Sequence, residues 1–508
     1  MSARANGGRL ICVSNRVGTV RGAPLAGGLA IALSNALRAN RGLWFGWSGK
    51  TAAEVGAVTL DEAHGIKLAT LDLPKADFDA YYAGYSNNVL WPLFHFRIDL
   101  VRYDRAQYDA YRRINKLIAQ RVAELVRPDD RIWVHDYHLI PLAEELRALG
   151  LNNRIGFFLH IPTPPRELMA ALPGNRELMG SLLYYDLVGL QTHGDRQRLH
   201  DYAQRELECT VTSDGLSAFG RKVRTGAFPV GIDVEEFESF ADSAKARQEA
   251  RRMRRLLDGR TQIIGVDRLD YSKGLLRRAA GFERMLEKYP RVQRSVEFLQ
   301  VTPISRGEVQ AYQDFRTELE ALASHINGRF GSFDWTPLRY LNKALPQRTL
   351  AALYRASRIG LVTPIRDGMN LVAKEYVAAQ DPEDPGVLIL SAFAGAAEQM
   401  HDALLVNPYD PDEVADALER ARTMELAERV QRHRALIAVL RRDSSDHWQS
   451  SYLRALDGDT SRPPAIDEGG QPRPTSVRSK RAPASHSGTR REKSAAPGPT
   501  PSLPMGAR

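Results

Sequence analysis

The chain has 508 residues, of which 43% are hydrophobic and 26% charged, a balance typical of a globular protein with two or more domains. It has only two cysteines, no start resembling a signal peptide and no apolar run of about 18 residues, which excludes a disulfide framework and a membrane span and predicts a cytoplasmic protein. The net charge of +9 is concentrated in residues 461–508, which carry nine basic and three acidic residues, so it does not indicate a specific nucleic-acid partner.

Short apolar runs of strand length alternate with helical patterns along most of the chain. Such alternation predicts an α/β fold, in which parallel sheets are built from right-handed crossover units. The runs form two series, so we predict two doubly wound domains, each binding its ligands beyond the carboxyl ends of its strands. The runs are RLICVSN, RIWVH, RIGFFLH, DLVGLQ and VRTGAFPVG in the first series, and TQIIGVDRL, SVEFLQV, RIGLVTP, GVLILS and ALLVNP in the second.

The two series divide near the segment FPVGIDVEEF. We therefore predict an N-terminal domain over residues 1–235 and a second domain over 236–440. The segment that contains DHWQSSYLRAL is predicted to form a last helix, at about 441–457, that packs back on the N-terminal domain. Residues 461–508 hold nine of the 28 prolines and almost no apolar residues, so we predict a disordered basic tail that either solubilises the protein or binds an anionic partner.

Three short segments imitate known motifs. WFGWSGKT resembles a phosphate-binding P-loop, but Trp44 stands where the first glycine should be. HDYHL, residues 135–139, lacks a third ligand for a metal, and DPD, residues 410–412, is better explained by a turn and a helix cap. We therefore predict neither a metal site nor a cofactor.

The stretch RDGMNLVAKEYVAAQ, residues 366–380, puts a polar turn between an apolar run and a helix that is predicted to begin at about Leu371. A helix N-terminus presents unpaired N–H groups and a partial positive charge, so it can bind a phosphate without a metal. Gly368 permits close backbone approach, Asp367 can accept hydrogen bonds from sugar hydroxyls, and Glu375 can reach a ribose. The alternative for Glu375 is a solvated helix face.

Cationic residues that suit phosphate groups lie in two further loops. Arg268 and Lys273 of VDRLDYSKGL follow a predicted strand, where they can neutralise a leaving diphosphate; an ordinary surface pair is the alternative. Arg16 of SNR follows the first predicted strand and can bind a second anion. Gly27 and Gly28 precede a helix and let backbone N–H groups approach a phosphate or a sugar.

These segments together resemble one family. Over about residues 9–457 the chain is similar to the trehalose-6-phosphate synthases, retaining glucosyltransferases of the GT-B type, in the ordered segments SNR, AGGLA, GLWFGWSG, YYAGYSNNVLWPLFH, IWVHDYHL, RIGFFLHIPTP, DRLDYSKGL, ISRG, QAYQDFR and LVTPIRDGMNLVAKEYVAAQ. The resemblance implies two Rossmann-like domains facing a central cleft. It implies an enzyme of trehalose biosynthesis, with a role in osmoprotection and the stress response, that transfers glucose from a nucleoside diphosphate-glucose to glucose 6-phosphate. It also implies a homo-oligomer.

The resemblance further implies roles for single residues. The implied catalytic residues are Asp136, His160, Arg268, Lys273 and Asp367. The implied donor-binding residues are Gly27, Gly28, Arg268, Lys273, Asp367, Met369, Asn370, Leu371, Val372 and Glu375. The implied acceptor-binding residues are Arg16, Tyr82, Trp91, Asp136 and Arg306. His160 would lie beside the transferred glucose, and Trp91 and Asp136 would shape the sugar pocket.

The matching site in the family offers no carboxylate nucleophile below the anomeric carbon. The resemblance thus implies a reaction on one face of the sugar through an oxocarbenium-like ion pair, in which the leaving phosphate accepts the acceptor's proton. UDP-glucose is the first choice of donor, with ADP-glucose and GDP-glucose as alternatives. Glycerol 3-phosphate is the alternative acceptor. A catalytically silent sugar-phosphate sensor is the alternative from another class, although Arg268, Lys273, Asp367 and Glu375 are all intact.

Overall fold

The structure, a computed structural model, describes residues 8–17, 28–63, 65–303 and 310–458. The described residues belong to one compact unit that contains two β-sheets. The predictions for Gly27, Arg306 and the tail at 461–508 lie outside the described residues.

The first sheet is mixed and has ten strands in the described part of the chain. These are β1 (Leu10–Arg16), β2 (Leu43–Ala52), β3 (Thr59–Ala63), β4 (Ile66–Pro74), β5 (Arg131–His135), β6 (Arg154–Phe158), β7 (Leu187–Leu190), β8 (Thr210–Val211), β9 (Gly215–Ala218) and β10 (Arg221–Ala227). Their order across the sheet is β3-β4-β2-β1-β5-β6-β7-β10-β9-β8. The strands from β4 to β10 in this order are parallel. Antiparallel strands complete both edges, with β3 pairing with β4 on one side and β9 pairing with β10 and with the edge strand β8 on the other. The segment that imitates a P-loop is part of β2.

The second sheet is parallel throughout its described strands. These are β11 (Thr261–Val266), β12 (Val296–Val301), β13 (Leu338–Leu341), β14 (Ile359–Val362), β15 (Val387–Ser391) and β16 (Leu404–Val406). Their order, β13-β12-β11-β14-β15-β16, is the 3-2-1-4-5-6 order of nucleotide-binding folds, with the topological switch point between β11 and β14. The α/β prediction, with two largely parallel sheets, is confirmed.

Helices connect the strands. In the first half they are α1 (Gly28–Ala39), α2 (Lys75–Phe78), α3 (Trp91–Phe94), α4 (Arg105–Ala123), α5 (Leu142–Ala148), α6 (Arg166–Ala170), α7 (Asn175–Gly180) and α8 (His193–Glu206), with a π-helical segment at Asp79–Leu90. In the second half they are α9 (Val234–Asp242), α10 (Ala244–Leu257), α11 (Leu275–Lys288), α12 (Gln310–Phe330), α13 (Gln347–Ala356), α14 (Leu371–Ala378), α15 (Pro411–Thr423), α16 (Leu426–Arg442) and α17 (Ser445–Asp457). Within the described ranges, no helix combines the length and apolarity needed to cross a membrane.

Helix α17 follows the second sheet in the chain but packs against the first. Its Trp448 and Tyr452 contact Trp133 of β5, with ring centroids 5.1 and 4.6 Å apart. The Tyr452 hydroxyl donates a hydrogen bond of 3.0 Å to the carbonyl of Phe157 in β6. Gly189 of β7 leaves room for the Tyr452 ring, since a Cβ at this position would lie 2.6 Å from it. Helix α17 thus packs on one face of the first sheet. The predicted domain boundaries stay predictions.

Candidate active site

The carboxyl ends of strands from both sheets meet at one place. The turn after β14 brings Gly368 against the turn after β6, where a Cβ on residue 368 would lie 2.1 Å from the carbonyl oxygen of His160. Only glycine allows this approach, because any side chain would overlap a backbone atom. Ligands of α/β sheets bind at the carboxyl ends of strands, so this contact marks the candidate active site.

Helix α14 begins at Leu371, as predicted, and its N-terminus opens onto this site. Asn370 takes a left-handed conformation, with φ 85°, and its side-chain oxygen accepts a hydrogen bond of 3.1 Å from the N–H of Ala373. Met369 is buried before the turn, and the N–H groups of Leu371 and Val372 open the first helical turn, where no helical carbonyl precedes them. This geometry suits an anion such as a phosphate.

Asp367 and Lys273 form a salt bridge across the strand ends. The Lys273 Nζ lies 2.6 Å from the Asp367 Oδ2, and each side chain is only 12% exposed. Asn370 Nδ2 donates a second hydrogen bond of 3.1 Å to the same oxygen. Burial alone raises the pKa of the Asp367 carboxyl, but the Lys273 ammonium outweighs burial and holds that pKa below its ordinary value. The charged carboxylate of Asp367 and the side chain of Lys273 therefore lie together at the helix N-terminus.

Glu375 lies one turn into α14 and is 8% exposed. Burial raises the pKa of its carboxyl to about 8, so the group is largely protonated at neutral pH. Its neighbour Lys374 is 1% exposed, and its Nζ donates to the carbonyl of Val230 and to Gln399 at 2.8 and 2.9 Å. Burial lowers the pKa of Lys374 to about 7. The alternative of a solvated helix face is therefore wrong for both residues.

Arg268 extends from the turn after β11 towards the first half of the chain. Its guanidinium carbon lies 5.7 Å from the centre of the Trp91 ring, within cation–π range, while the side chain stays exposed. Behind Trp91, the Nδ1–H of His95 donates a hydrogen bond of 2.8 Å to the Trp91 carbonyl. Burial lowers the pKa of His95 to about 4, so its ring is neutral close to Lys273 and Asp367.

A buried arginine supports the turn that carries Lys273. Arg278 of α11 is fully buried, and its Nη2 lies 2.6 Å from the Asp267 Oδ2. The same guanidinium donates to Thr363, Gln300 and the Lys273 carbonyl at 3.0, 3.1 and 3.3 Å. Arg278 therefore ties the carboxyl ends of β11, β12 and β14 together beneath the predicted diphosphate clamp.

Two predicted acceptor residues share an aromatic neighbour on the first sheet. Arg16, the last residue of β1, is exposed, and its guanidinium carbon lies 5.5 Å from the Trp47 ring centre. Tyr82 lies 6.2 Å from Trp47, centre to centre, and stacks on Phe78 and His138 at 5.1 and 5.7 Å. Arg16 and Tyr82 thus border one surface, and the side chain of Arg16 stands open to solvent beside it.

Asp136 and His160 follow the neighbouring strands β5 and β6. Asp136 has φ 75° and ψ 167°, a conformation that is energetically unfavourable for residues other than glycine. Its N–H donates to the Phe158 carbonyl at 2.8 Å, and its Oδ1 accepts from the His160 N–H at 3.2 Å. The His160 Nε2 lies 3.0 Å from the Nδ1 of His135. Burial lowers the pKa of His160 to about 3.

The structure brings most of the predicted residues to one region. Direct contacts join Lys273, Asp367 and Asn370, place Arg268 on Trp91, and set Gly368 against His160. Gly28 begins α1, and the predicted roles of the individual residues stay predictions. Sequence reasoning missed two buried side chains that support the site, His95 and Arg278, and gave the buried His135 no specific role. In the described part of the chain, no group of three His, Cys, Asp or Glu side chains could hold a metal ion.

The predicted turn at residues 410–412 is confirmed as a helix cap. The Asp410 Oδ1 accepts from the N–H groups of Asp412 and Glu413 at 2.9 and 3.1 Å, at the start of α15. Asp412 pairs with Arg284, their closest atoms 3.0 Å apart. These aspartates have a structural explanation and lie outside the candidate active site.

Comparisons with known proteins agree with this geometry. Residues 16–458 match glycosyltransferase family 20. The chain is 47% identical over 458 residues to the trehalose-6-phosphate synthase of Cronobacter sakazakii (strain ATCC BAA-894), covering 90% of this chain and 96% of the relative. It is similar to the structure of an α,α-trehalose-phosphate synthase (UDP-forming) from Burkholderia xenovorans in complex with glucose 6-phosphate, with a TM-score of 0.85, 47% identity, and coverage of 89% of this chain and 100% of the other.

A structure from E. coli bound with UDP-2-fluoro glucose is similar to the same extent, with a TM-score of 0.84, 48% identity, and coverage of 88% of this chain and 98% of the other. The resemblance to the trehalose-6-phosphate synthases and the GT-B fold class predicted from the sequence are therefore confirmed. Because the match spans most of its length, this chain belongs to glycosyltransferase family 20.

Proposed function

We propose that this glycosyltransferase transfers glucose from UDP-glucose to glucose 6-phosphate, releasing UDP and α,α-trehalose 6-phosphate with retention at the donor's anomeric carbon. The observation that carries the proposal is the cluster of Lys273, Asp367 and Asn370 at the N-terminus of α14, directly across from His160. Structures of relatives that are 47% and 48% identical to this chain have been solved with glucose 6-phosphate and with UDP-2-fluoro glucose, respectively.

The donor diphosphate would bind at the N-terminus of α14, between the first-turn N–H groups and the cations Arg268 and Lys273. Lys273 is paired with Asp367, so an arriving diphosphate would share its ammonium with that carboxylate. Asp367 would accept from glucose hydroxyls, and Glu375 would bond the ribose from its buried position. Met369, Leu371 and Val372 would contribute backbone groups, as would Gly27 and Gly28.

The acceptor would bind on the side of the first sheet. Arg16 offers an exposed guanidinium for the 6-phosphate, and Tyr82 offers an aromatic edge beside it. Trp91 and Asp136 would border the acceptor sugar, and Arg268 on the Trp91 ring would bring the donor's diphosphate next to that sugar. Arg306 would add a second cation for the acceptor phosphate.

The chemistry would rest on electrostatic stabilisation. As the glycosidic bond breaks, negative charge grows on the UDP oxygens and positive charge on the sugar ring. Arg268, Lys273 and the N-terminus of α14 would stabilise the leaving diphosphate, an effect of about 3 kcal/mol per preorganised donor. The leaving phosphate would take the proton from the acceptor hydroxyl on the same face, because the nearby carboxylate of Asp367 is already held by Lys273 and Asn370.

The proposal also covers the cellular location, the oligomeric state and the choice of substrates. We place the enzyme in the cytoplasm, because its two cysteines, Cys12 and Cys209, are free and buried rather than paired in a disulfide. We expect a homo-oligomer by analogy with the family. UDP-glucose is proposed over ADP-glucose and GDP-glucose because one similar structure is of a UDP-forming synthase and another was solved with UDP-2-fluoro glucose. Glucose 6-phosphate is proposed over glycerol 3-phosphate because the acceptor side offers the Tyr82 ring to a hexose.

A panel of substrates tests the proposal. Purified protein is given UDP-, ADP- or GDP-glucose with glucose 6-phosphate or glycerol 3-phosphate, and released nucleotide and product configuration are measured. We expect the fastest release from UDP-glucose with glucose 6-phosphate, and a product with two α-linked anomeric carbons. Lys273→Met should lose most of this rate, whereas Lys343→Met, a change at an exposed lysine, should retain it. Binding of glucose 6-phosphate without any nucleotide release would support the sensor instead.

A further inference from the structure

The ends of β5 and β6 are joined by three hydrogen bonds, two of which involve His160, the predicted sugar-binding histidine. Asp136 makes two of them, from its N–H to the Phe158 carbonyl and from its carboxylate to the His160 N–H, at 2.8 and 3.2 Å. The third joins two imidazoles, with the Nδ1 of His135 and the Nε2 of His160 3.0 Å apart. His135 is 1% exposed and has no role in the predicted site.

The third bond constrains where the protons lie. Burial lowers the pKa of His160 to about 3 and that of His135 well below its ordinary value, so both rings are neutral at neutral pH. A neutral imidazole has one N–H donor and one acceptor nitrogen, so a single proton lies between these rings. Either His135 donates from Nδ1, or His160 donates from Nε2.

The surroundings of His135 favour the first arrangement. Its Nε2 is buried, has no hydrogen-bond partner among the described residues, and belongs to a ring packed against Trp133 at 4.5 Å. Buried N–H groups without an acceptor are rarer in proteins than buried acceptors without a donor, and each costs about 1–3 kcal/mol. The proton of His135 therefore belongs on Nδ1, and its Nε2 keeps a lone pair.

We propose that His135 is a positioning residue for glucose transfer, which donates from Nδ1 to the Nε2 of His160 and so fixes His160 in the tautomer that carries its proton on Nδ1. The Nδ1–H of His160 is then left to donate to a hydroxyl oxygen of the transferred glucose. This inference rests on the proposed function only for the identity of that sugar.

The backbone around His160 is held in the same way. Gln191 Nε2 donates to the His160 carbonyl at 3.3 Å, and Gly368 packs against that carbonyl. The conformation of Asp136, with φ 75°, is sustained by its two hydrogen bonds to β6 and the following turn. Energy stored in an unfavourable backbone conformation is typical of functional sites, and here it sets the position of one ring.

Nuclear magnetic resonance tests the tautomer without reference to activity. In protein labelled with ¹⁵N-histidine, two-bond ¹H–¹⁵N correlations distinguish protonation on Nδ1 from protonation on Nε2. We expect His160 to carry its proton on Nδ1 at neutral pH, and the signals are assigned with the variant His160→Gln. A proton on the Nε2 of His160 in the wild-type protein would overturn the proposal, whether or not the protein transfers glucose.

Two variants of His135 test its effect on the reaction. His135→Asn keeps an amide N–H donor near the position of Nδ1, whereas His135→Phe keeps an aromatic ring without a donor. We expect the Phe variant to lose about tenfold in kcat and in affinity for UDP-glucose, and the Asn variant to retain most of both. The affinity for UDP, which lacks the glucose, and the KM for glucose 6-phosphate should change less than about twofold.

The pattern across ligands separates positioning from a general structural role. Equal losses in the Asn and Phe variants, or a loss of UDP affinity as large as that for UDP-glucose, would overturn the proposal. If the Phe variant does not fold, the Asn variant and the wild-type tautomer still decide it. If the wild-type protein transfers no glucose while His160 has the expected tautomer, the proposed function fails and the hydrogen bond between the histidines stands.

Discussion

The two sides of the candidate active site hold their charges differently. On the side of the second sheet, Lys273 and Asp367 are each 12% exposed and paired, and Arg278 beneath them is fully buried among four partners. On the side of the first sheet, Arg16 is exposed and lies on the face of Trp47. The second-sheet side thus holds a buried, paired array of charges beneath the exposed Arg268, whereas the first-sheet side holds an exposed arginine on an aromatic ring.

The difference matches the chemistry proposed for each side. Charge develops on the donor diphosphate during the reaction, and dipoles and charges that are already oriented stabilise it without further reorganisation. The acceptor phosphate keeps its charge throughout the reaction. Its site therefore has to bind and release the acceptor, and does not need charges that are oriented in advance for the transition state. The proposal therefore assigns the rate of transfer to the buried array and acceptor affinity to the exposed arginine.

The largest expected effect comes from removing the centre of the buried array. Arg278→Met leaves Asp267 buried without its partner, so we expect a loss of about 3–5 kcal/mol in the free energy of unfolding. Arg16→Met, the matched change on the exposed side, should cost less than about 1 kcal/mol. Thermal and urea unfolding of both variants measure the contrast. Equal losses of unfolding free energy in Arg278→Met and Arg16→Met would contradict the distinction between the two sides.

A smaller effect is expected from the pH dependence of Glu375. Its folded pKa of about 8 lies above the ordinary 4.5, so the folded protein binds a proton that the unfolded chain has lost. This contribution to stability is complete below about pH 4.5 and falls by about 1.4 kcal/mol per pH unit as the pH rises towards 8. Glu375→Gln removes the carboxyl and should become more stable relative to the wild type as the pH rises.

The window for this measurement is about pH 5 to 6.5, below the pKa of about 7 of the neighbouring Lys374. Unfolding midpoints of the wild type, Glu375→Gln and the exposed control Glu383→Gln are compared across it. The control should keep the wild-type slope. A parallel slope for Glu375→Gln would mean that this carboxyl is ionised in the folded protein.

The smallest expected effect is that of removing divalent metals. Arg268, Lys273 and the N-terminus of α14 already offer positive charge to a diphosphate, so we expect thorough chelation to leave the rate of glucose transfer unchanged. Initial rates are measured with and without a chelator, then after adding magnesium or manganese. Loss of activity on chelation and its return with either ion would contradict the account of the buried array.

Features coded by short contiguous segments could be predicted from the sequence. The helix beginning at Leu371 and its polar turn lie within one stretch of fifteen residues, and alternation of apolar runs indicated ten of the sixteen described strands. Strand β2 was missed because its polar end, WSGKT, does not alternate as a typical strand does. The helix predicted at about 441–457 begins at Ser445, after α16 ends at Arg442.

Features that depend on burial could not be predicted in the same way. Arg277 and Arg278 are adjacent in one amphipathic helix, yet Arg277 lies on the ring of Tyr409 whereas Arg278 is fully buried. Helical periodicity places Arg278, but not Arg277, on the apolar face with Leu275 and Phe282. It gives no sign of the polar partners of Arg278, because these come from the ends of β11, β12 and β14. His135 is a similar case, since its contact with His160 spans 25 residues of sequence.

We propose that the first-sheet side binds the acceptor and that the second-sheet side stabilises the leaving diphosphate. Variants of Arg16 and Arg268 distinguish these two roles. Steady-state kinetics of Arg16→Ala and Arg268→Ala are measured with each substrate varied in turn, together with calorimetry of UDP binding. We expect Arg16→Ala to raise the KM for glucose 6-phosphate and to leave UDP affinity unchanged. We expect Arg268→Ala to lower kcat by about a hundredfold and to leave acceptor affinity unchanged. Loss of UDP binding in Arg16→Ala, or an unchanged kcat in Arg268→Ala, would contradict this proposal.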